Sequence, residues 1–164
     1  MLSKLPKLVI PKTNLERWHD GLSIIILLFS FVYLIVKWSE LPQTIAIHFN
    51  GSGEADGWGS KAFLFILPIF ALLIFIGLTL LRKVPHQFNY MVPITDQNAP
   101  YQYKNSIYLL SWIKLDLVAI FAYVQWAVIQ DALGITSGIG IWRIPIALVI
   151  LLATVVFYVM KLRK

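Results

Sequence analysis

The sequence predicts an all-α integral membrane protein with four transmembrane helices, both termini in the cytoplasm, and an ordered extracytoplasmic loop between the first two helices. The composition supports this class, because hydrophobic residues make up 59% and charged residues 13% of the 164 positions. Soluble domains have about 45–50% apolar and about 25% charged residues. Two further observations carry the prediction: four long apolar segments, and an uneven distribution of lysine and arginine between them.

The four apolar segments are long enough to cross the hydrocarbon core of a bilayer, which takes about 20 helical residues. They form one membrane domain over residues 1–164, with predicted spans at 21–38, 62–81, 109–133 and 139–160. Pro68 and Pro145 fall inside the second and fourth spans, and neighbouring helices make proline tolerable there.

Basic residues cluster at the span ends that we predict to be cytoplasmic. An excess of lysine and arginine marks that side of a membrane, so the net charge of +6 reports topology and does not indicate nucleic-acid binding. Anionic membrane lipid is the expected partner of these edges. The residues are Lys4, Lys7, Lys12, Arg17, Arg82, Lys83, Lys104, Lys161, Arg163 and Lys164.

The predicted outer loop, residues 39–61, carries the most distinctive pattern in the chain, LPxxIxIHFNxxGExDGWGSK from Leu41 to Lys61. Residues 44–49 alternate as a strand does, and the glycines that follow suit tight turns. The pattern therefore predicts a compact, ordered cap over the outer ends of the helices.

The predicted cytoplasmic loop, residues 82–106, is rich in tyrosine and poor in charge. Thr95 is placed to cap a helix that opens near Asp96, and Pro100 suits a helical first turn. We expect this helix to run without interruption into the third span. The loop contains four pairs of adjacent residues that recur in the comparison below: Asn89-Tyr90, Ile94-Thr95, Asn98-Ala99 and Gln102-Tyr103.

The outer-loop pattern resembles the N-terminal domain of unknown function of SdpI-like bacterial integral membrane proteins, and the paired residues of the 82–106 loop match a stretch common in that family. The resemblance implies a multi-pass protein of the bacterial cytoplasmic membrane that takes part in immunity to a toxin or in signalling. It also implies an extracytoplasmic peptide ligand at the outer loop and a cytoplasmic protein partner at Asn89, Tyr90, Thr95, Asn98 and Tyr103. A homo-oligomer is compatible with both.

Polar side chains in the outer loop are candidates for binding a ligand or partner. His48, Glu54 and Asp56 have side chains that suit a divalent metal or a proton-sensing site, but their spacing fits no established metal motif. The alternative is that they bond backbone amides and hold the shape of the cap. The complete candidate set is His48, Asn50, Glu54, Asp56, Trp58 and Lys61.

Polar residues within the third span form a second candidate region, because ionisable groups inside a membrane are costly. Lys114 is expected to extend to the headgroups. Asp116 would pair with a basic residue on another helix, bind a cation or proton, or lie near water at the interface. Gln125 would hydrogen-bond another helix or, with Asp116, line a path for ions. Arg143 is expected to meet Asp131 across the turn between the last two helices.

No nucleophile, base and orienting group occur in a recognisable enzyme spacing, and the sequence contains no cysteine. We therefore expect a protein that is not an enzyme and needs no cofactor. A small transporter or ion-conducting subunit that uses Asp116 and Gln125 is the alternative function.

Overall fold

The computed structural model describes residues 5–163, so Lys4 and Lys164, counted above in the charge distribution, lie outside the described residues. The described chain contains four helices that are long and apolar enough to span a membrane, as expected of a multi-pass membrane protein. A two-stranded antiparallel hairpin lies between the first two. The elements are α1 (Asn14–Lys37), β1 (Thr44–Phe49), β2 (Ala55–Ser60), α2 (Ile66–Leu81), α3 (Ala99–Ala132) and α4 (Arg143–Leu162).

The hairpin corrects the all-α prediction, although the alternation of residues 44–49 had indicated a strand. Thr44 pairs with Ser60 at one end and Phe49 with Ala55 at the other. A Cβ atom at Gly59 would lie 2.6 Å from Cδ1 of Ile47 on the facing strand, so a larger residue there would force the Ile47 side chain to move. The paired strands form the ordered cap that the pattern predicted, and we call residues 44–60 the hairpin cap.

Helix α1 begins at Asn14, seven residues before the predicted start of the first span at residue 21. Thr13 and Glu16 form a capping box, in which Glu16 N–H donates to Thr13 Oγ1 (3.4 Å) and Thr13 N–H donates to Glu16 Oε2 (2.9 Å). The predicted span left out residues 14–20 because most of them are polar, and the prediction looked only for a long apolar segment.

Helix α3 is the centre of the bundle, with α1, α2 and α4 all packed against it. It begins at Ala99 with Pro100 in its first turn, which confirms the predicted continuous helix. Just before it, Thr95 N–H donates to Asn98 Oδ1 (2.8 Å) and Asn98 N–H donates to Thr95 Oγ1 (3.2 Å). At 1.5 Å per residue, a helix of 34 residues is about 51 Å long and exceeds the thickness of a hydrocarbon core of about 30 Å.

The bundle has two distinct ends. The hairpin end carries the hairpin cap and the connection of residues 133–142, and its core contains Leu34, Leu64 and Ile129. The loop end carries residues 5–13 and 82–98 together with the last turn of α4. Helix α4 starts at Arg143, four residues after the predicted start of the fourth span, because the glycine-rich connection continues to that point.

Candidate functional site

Asn50 organises the turn of the hairpin cap. Its Oδ1 atom accepts hydrogen bonds from Ser52 N–H (2.9 Å) and Glu54 N–H (3.1 Å), and its own N–H donates to the Glu54 carbonyl (2.8 Å). An asparagine side chain that bonds the backbone two residues ahead is a common means of closing a turn. The structure thus gives Asn50 a backbone-bonding role.

The three proposed metal ligands are divided between two separate contacts. The His48 ring bonds the Asp56 carboxylate, while Glu54 Oε2 accepts from Asn50 Nδ2 (3.3 Å). Among residues 5–163, no group of three or more histidine, aspartate or glutamate side chains could hold a metal ion. The structure therefore does not assemble the metal site considered for His48, Glu54 and Asp56.

Lys61 was predicted to face a ligand, and the structure corrects this. Its side chain is buried at the end of α1, where Nζ donates to the carbonyls of Trp38 (2.9 Å) and Leu41 (3.1 Å). The ammonium also lies 4.6 Å from the ring centroid of Trp38. Lys61 thus joins the end of the hairpin cap to the end of α1, whereas Trp58 on β2 is 62% exposed.

An apolar groove of about 340 Å³ lies between the hairpin cap and the helices. Ile47 and Phe63 are both partly exposed at this groove, so its wall is accessible from outside the bundle. Concave apolar surfaces of this kind are the usual places where small ligands or apolar side chains bind. The lining residues are Ile45, Ala46, Ile47, Phe49, Phe63, Leu64, Ile66, Leu67, Val124 and Val128.

A charged cluster at the loop end was not predicted. Asp20 on α1 forms ion pairs with both Lys12 and Lys114, and Lys114 Nζ also donates to Thr79 Oγ1 (3.2 Å). Lys114 is 5% exposed, which corrects the expectation that it extends to the headgroups. Removing one partner of this buried ion pair would leave the other charge uncompensated inside the bundle, and this would destabilise the fold.

The second half of the charged cluster ties α1 to α2. Arg82 Nε donates to Glu16 Oε1 (2.5 Å), and Arg82 Nη2 donates to the Ile10 carbonyl (3.1 Å). Next to it, His19 Nδ1 bonds Ser111 Oγ (2.9 Å) and the His19 ring meets the edge of Trp112.

A signal for this cluster exists in the sequence. Glu16, His19, Asp20 and Ser23 recur at the spacing of one helical face, and all four are buried. The prediction missed this face because it started the first span at residue 21, which separated Glu16, His19 and Asp20 from Ser23. Their partners on α2 and α3 carry no comparable pattern and follow only from the packing.

The predicted partner surface at the loop end is only partly internal. Tyr103 is fully buried, and its hydroxyl donates to the Pro6 carbonyl (2.9 Å). Tyr90 OH donates to the Pro85 carbonyl (2.8 Å) and lies 3.1 Å from Ser106 Oγ. Burial raises the pKa of Tyr90 to about 12. Asn89 and Thr95 are both exposed on this segment, and Thr95 also exchanges hydrogen bonds with the half-buried Asn98.

Asp116 and Gln125 do not line one path. They are nine positions apart on α3, which places them on opposite faces of a helix with 3.6 residues per turn. Gln125 is buried towards α1, where Ser30 Oγ donates to its Oε1, as predicted for packing. Asp116 faces a groove beside α4.

The predicted pairing of Arg143 with Asp131 is wrong. Asp131 Oδ1 accepts from Gly138 N–H (2.7 Å), which closes the connection between α3 and α4. Arg143 Nη1 donates to Tyr123 OH (3.3 Å) and the guanidinium lies over the Tyr123 ring. Glycines with positive φ let the connection turn tightly, and this turn brings the Gly138 N–H to the Asp131 side chain.

Comparisons with known proteins find a match to a family of unknown function in the segment that contains the hairpin cap. Residues 25–72, which cover the second half of α1, the hairpin cap and the first part of α2, match the family described as Domain of unknown function (DUF1648). An uncharacterized protein of Archaeoglobus fulgidus is 29% identical over 87 residues, which is 48% of this chain. The chain spans about half the length of that relative, 48%. No solved structure matches the chain.

Proposed function

We propose that this chain is a non-enzymatic protein of the bacterial cytoplasmic membrane that confers immunity to an extracytoplasmic membrane-acting peptide or reports its presence. In this proposal both termini are cytoplasmic and the hairpin end faces outward. The observation that carries the proposal is the apolar groove of about 340 Å³ between the hairpin cap and the helices, whose lining residue Ala46 pairs on the facing strand with the exposed Trp58. The resemblance of residues 41–61 to SdpI-like proteins supports the same role.

The chemistry of the groove fits a peptide that acts on membranes. Such a peptide must present apolar side chains, and the groove offers apolar walls from β1, α2 and α3. Tryptophan is enriched among residues that dominate binding energy at interfaces, which makes Trp58 the expected anchor. His48 and Asp56 lie beside it on the exposed surface of the cap and supply polar contacts.

We infer that the exposed Asn89 at the loop end meets a cytoplasmic partner, and that membrane lipid surrounds the helices. Transport through Asp116 and Gln125 is not part of the proposal, because the two side chains face opposite sides of α3. The role assigned to the cap needs neither a cofactor nor a chemical step.

The proposal is tested by the survival and membrane potential of a toxin-sensitive bacterium that expresses the chain and is challenged with secreted membrane-acting peptides. We expect the potential to persist with the chain and to collapse without it. Trp58→Ala or Asp56→Ala should abolish protection while the amount of protein in the membrane stays unchanged.

A matched pair of variants tests the groove itself. Ile47→Asp places a charge in the groove wall, whereas Ile135→Asp places one on an exposed site of the connection outside the groove. Loss of protection in the first and not the second would support the groove. Full protection in Ile47→Asp, Trp58→Ala and Asp56→Ala alike would overturn the site.

A further inference from the structure

Strand β2 is the outer strand of the hairpin cap, and one of its edges faces away from the bundle. Strand β1 packs against both β2 and α3, so it lies between β2 and the helices, while β2 makes its main contact with β1. None of the β2 residues, Ala55–Ser60, is buried. In the described chain the sheet ends at β2, so its edge opposite β1 is open. An open strand edge is a template on which another extended chain can pair.

The backbone groups that point to this open edge follow from the strand register. Lys61 N–H donates to the Gln43 carbonyl (3.0 Å), so these two residues form a hydrogen-bonded pair. Hydrogen-bonded and non-hydrogen-bonded pairs alternate along antiparallel strands, and the register is regular from Ser60 to Trp58. Ser60 and Trp58 therefore both belong to non-hydrogen-bonded pairs. In such pairs the N–H and C=O groups point away from the partner strand, which here is the direction of the open edge.

Three of these backbone groups are available for a new partner. Outside the hairpin, no group among residues 5–163 forms a backbone hydrogen bond with the Trp58 N–H, the Trp58 carbonyl or the Ser60 N–H. The Ser60 carbonyl is different, because Ser60 is the N-cap of the short 3₁₀ turn Lys61–Phe65 that leads into α2. Residues 57–60 also contain neither the charge nor the proline that commonly protects a strand edge.

The side chains beside this edge favour a basic partner. Glu54 and Asp56 are both exposed and contact only Asn50 and His48, respectively. Neither carboxylate forms an ion pair with a lysine or arginine among the described residues. The exposed ring of Trp58 lies on the same strand and is the aromatic face that a guanidinium group prefers. A second copy of β2 would bring no basic side chain to these groups, because its sequence is ADGWGS.

We propose that an extended peptide segment with arginine side chains binds along β2 as a third strand. Its backbone pairs with Trp58 and Ser60, which is the usual way in which a peptide adds to a sheet edge. Its guanidinium groups meet the Trp58 ring and the carboxylates of Glu54 and Asp56. This inference rests on the proposed function, because it names the conformation and the charge of the peptide that the hairpin cap binds.

The experiment measures the binding of a fluorescent peptide of Arg-Val repeats to the full chain in uncharged detergent micelles. Such micelles leave both ends of the bundle accessible and do not concentrate a basic peptide. The control peptide has the same sequence but is N-methylated at every residue, so it keeps its charge and cannot donate backbone hydrogen bonds. We expect the unmethylated peptide to bind about tenfold more tightly, and equal binding of the two peptides would overturn the proposal.

A matched pair of variants at Ser60 tests the edge itself. Ser60 has a φ of −63°, the value that a proline ring adopts, so Ser60→Pro removes the open N–H without strain. Ser60→Ala is the control, because both variants lose the Oγ atom that accepts from Ala62 N–H (3.3 Å). We expect the Arg-Val peptide to bind Ser60→Pro about tenfold more weakly than Ser60→Ala, while the two variants unfold at the same temperature.

Three outcomes would overturn the open edge as a peptide site. The first is equal binding of the peptide to Ser60→Pro and Ser60→Ala. The second is a lower unfolding temperature in Ser60→Pro alone, since the N–H would then be bonded inside the hairpin. The third is a chain that is dimeric in Ser60→Ala and monomeric in Ser60→Pro, which would assign the edge to a second copy.

The survival assay separates this inference from the proposed function. Peptide binding that depends on the Ser60 N–H, in a chain that gives no protection, would refute the proposed function and support the edge site. Protection by the chain, with equal peptide binding in both Ser60 variants, would refute the edge site alone.

Discussion

At the residue scale, Asp20 forms two ion pairs inside the bundle. It pairs with Lys114, which is buried, and with Lys12, whose side chain is 39% exposed. The two lysines are therefore unequal. Lys114 depends on Asp20 for its charge partner, while Asp20 retains Lys12 if Lys114 is removed.

This inequality predicts that Asp20→Asn destabilises the bundle more than Lys114→Met. Removing one partner of a buried ion pair costs about 3–5 kcal/mol, and the first substitution leaves the Lys114 ammonium buried without its carboxylate. The second substitution leaves Asp20 neutralised by Lys12. Thermal unfolding of the two variants in detergent micelles measures the difference, and equal loss of stability in both would contradict it.

Tyr90 provides a second prediction at this scale. Burial raises its pKa to about 12, so the folded protein holds the neutral phenol at pH values where a free tyrosine, with a pKa of about 10, is ionised. The stability that it contributes is present below about pH 10 and is lost as the pH rises through about 12. The phenolate absorbance of the native protein minus that of Tyr90→Phe should titrate at this high value; a midpoint near that of free tyrosine would refute the assignment.

At the element scale, the hairpin cap is held against the connection between α3 and α4. Ile139 N–H donates to the Gly53 carbonyl (3.2 Å). Gly138 has a φ of +68°, and a Cβ atom there would lie 2.0 Å from the same carbonyl oxygen. The contact joins two segments that are more than 80 residues apart in the chain.

Gly138→Ala should therefore release the hairpin tip from this connection. Gly134→Ala is the matched control, because Gly134 has a φ of +69° but open space around its Cβ position. Both variants suffer the left-handed strain of roughly 1–2 kcal/mol, while only the first also suffers the clash. Hydrogen exchange of residues 50–55 should rise in Gly138→Ala alone, and equal exchange in the two variants would contradict the contact.

At the scale of the whole molecule, the hairpin end and the loop end lie at opposite ends of the bundle, and the charge distribution predicts which side each one faces. The sequence has no native cysteine, so single cysteines report their position without interference. Trp58 at the hairpin end and Met91 at the loop end are both well exposed.

In intact bacteria, a membrane-impermeant thiol reagent should label Trp58→Cys at once and Met91→Cys only after the membrane is permeabilised. The excess of lysine and arginine at the loop end is the physical reason. Labelling in the reverse order would invert the orientation, and labelling of both in intact cells would exclude a membrane-spanning arrangement.

The four membrane-length helices and the strand-like start of the hairpin cap could both be predicted from the sequence. Apolar length and alternation are local properties, and each is visible within about 20 residues. The long third helix was likewise predicted, from Pro100 in its first turn, although it begins at Ala99 after Asn98 and Thr95 does not cap it.

The contacts between polar side chains of different helices could not be predicted, because the packing of the helices sets them. Lys114 and Asp20 are 94 residues apart, and Gln125 finds Ser30 across 95 residues. No local pattern encodes such a pairing, because it depends on which helix packs against which face of α3. The same reason explains three other side chains. Lys61 is buried and bonds the Trp38 carbonyl, and Arg143 bonds Tyr123 in place of Asp131. Asp116 lines a groove that α3 and α4 form together.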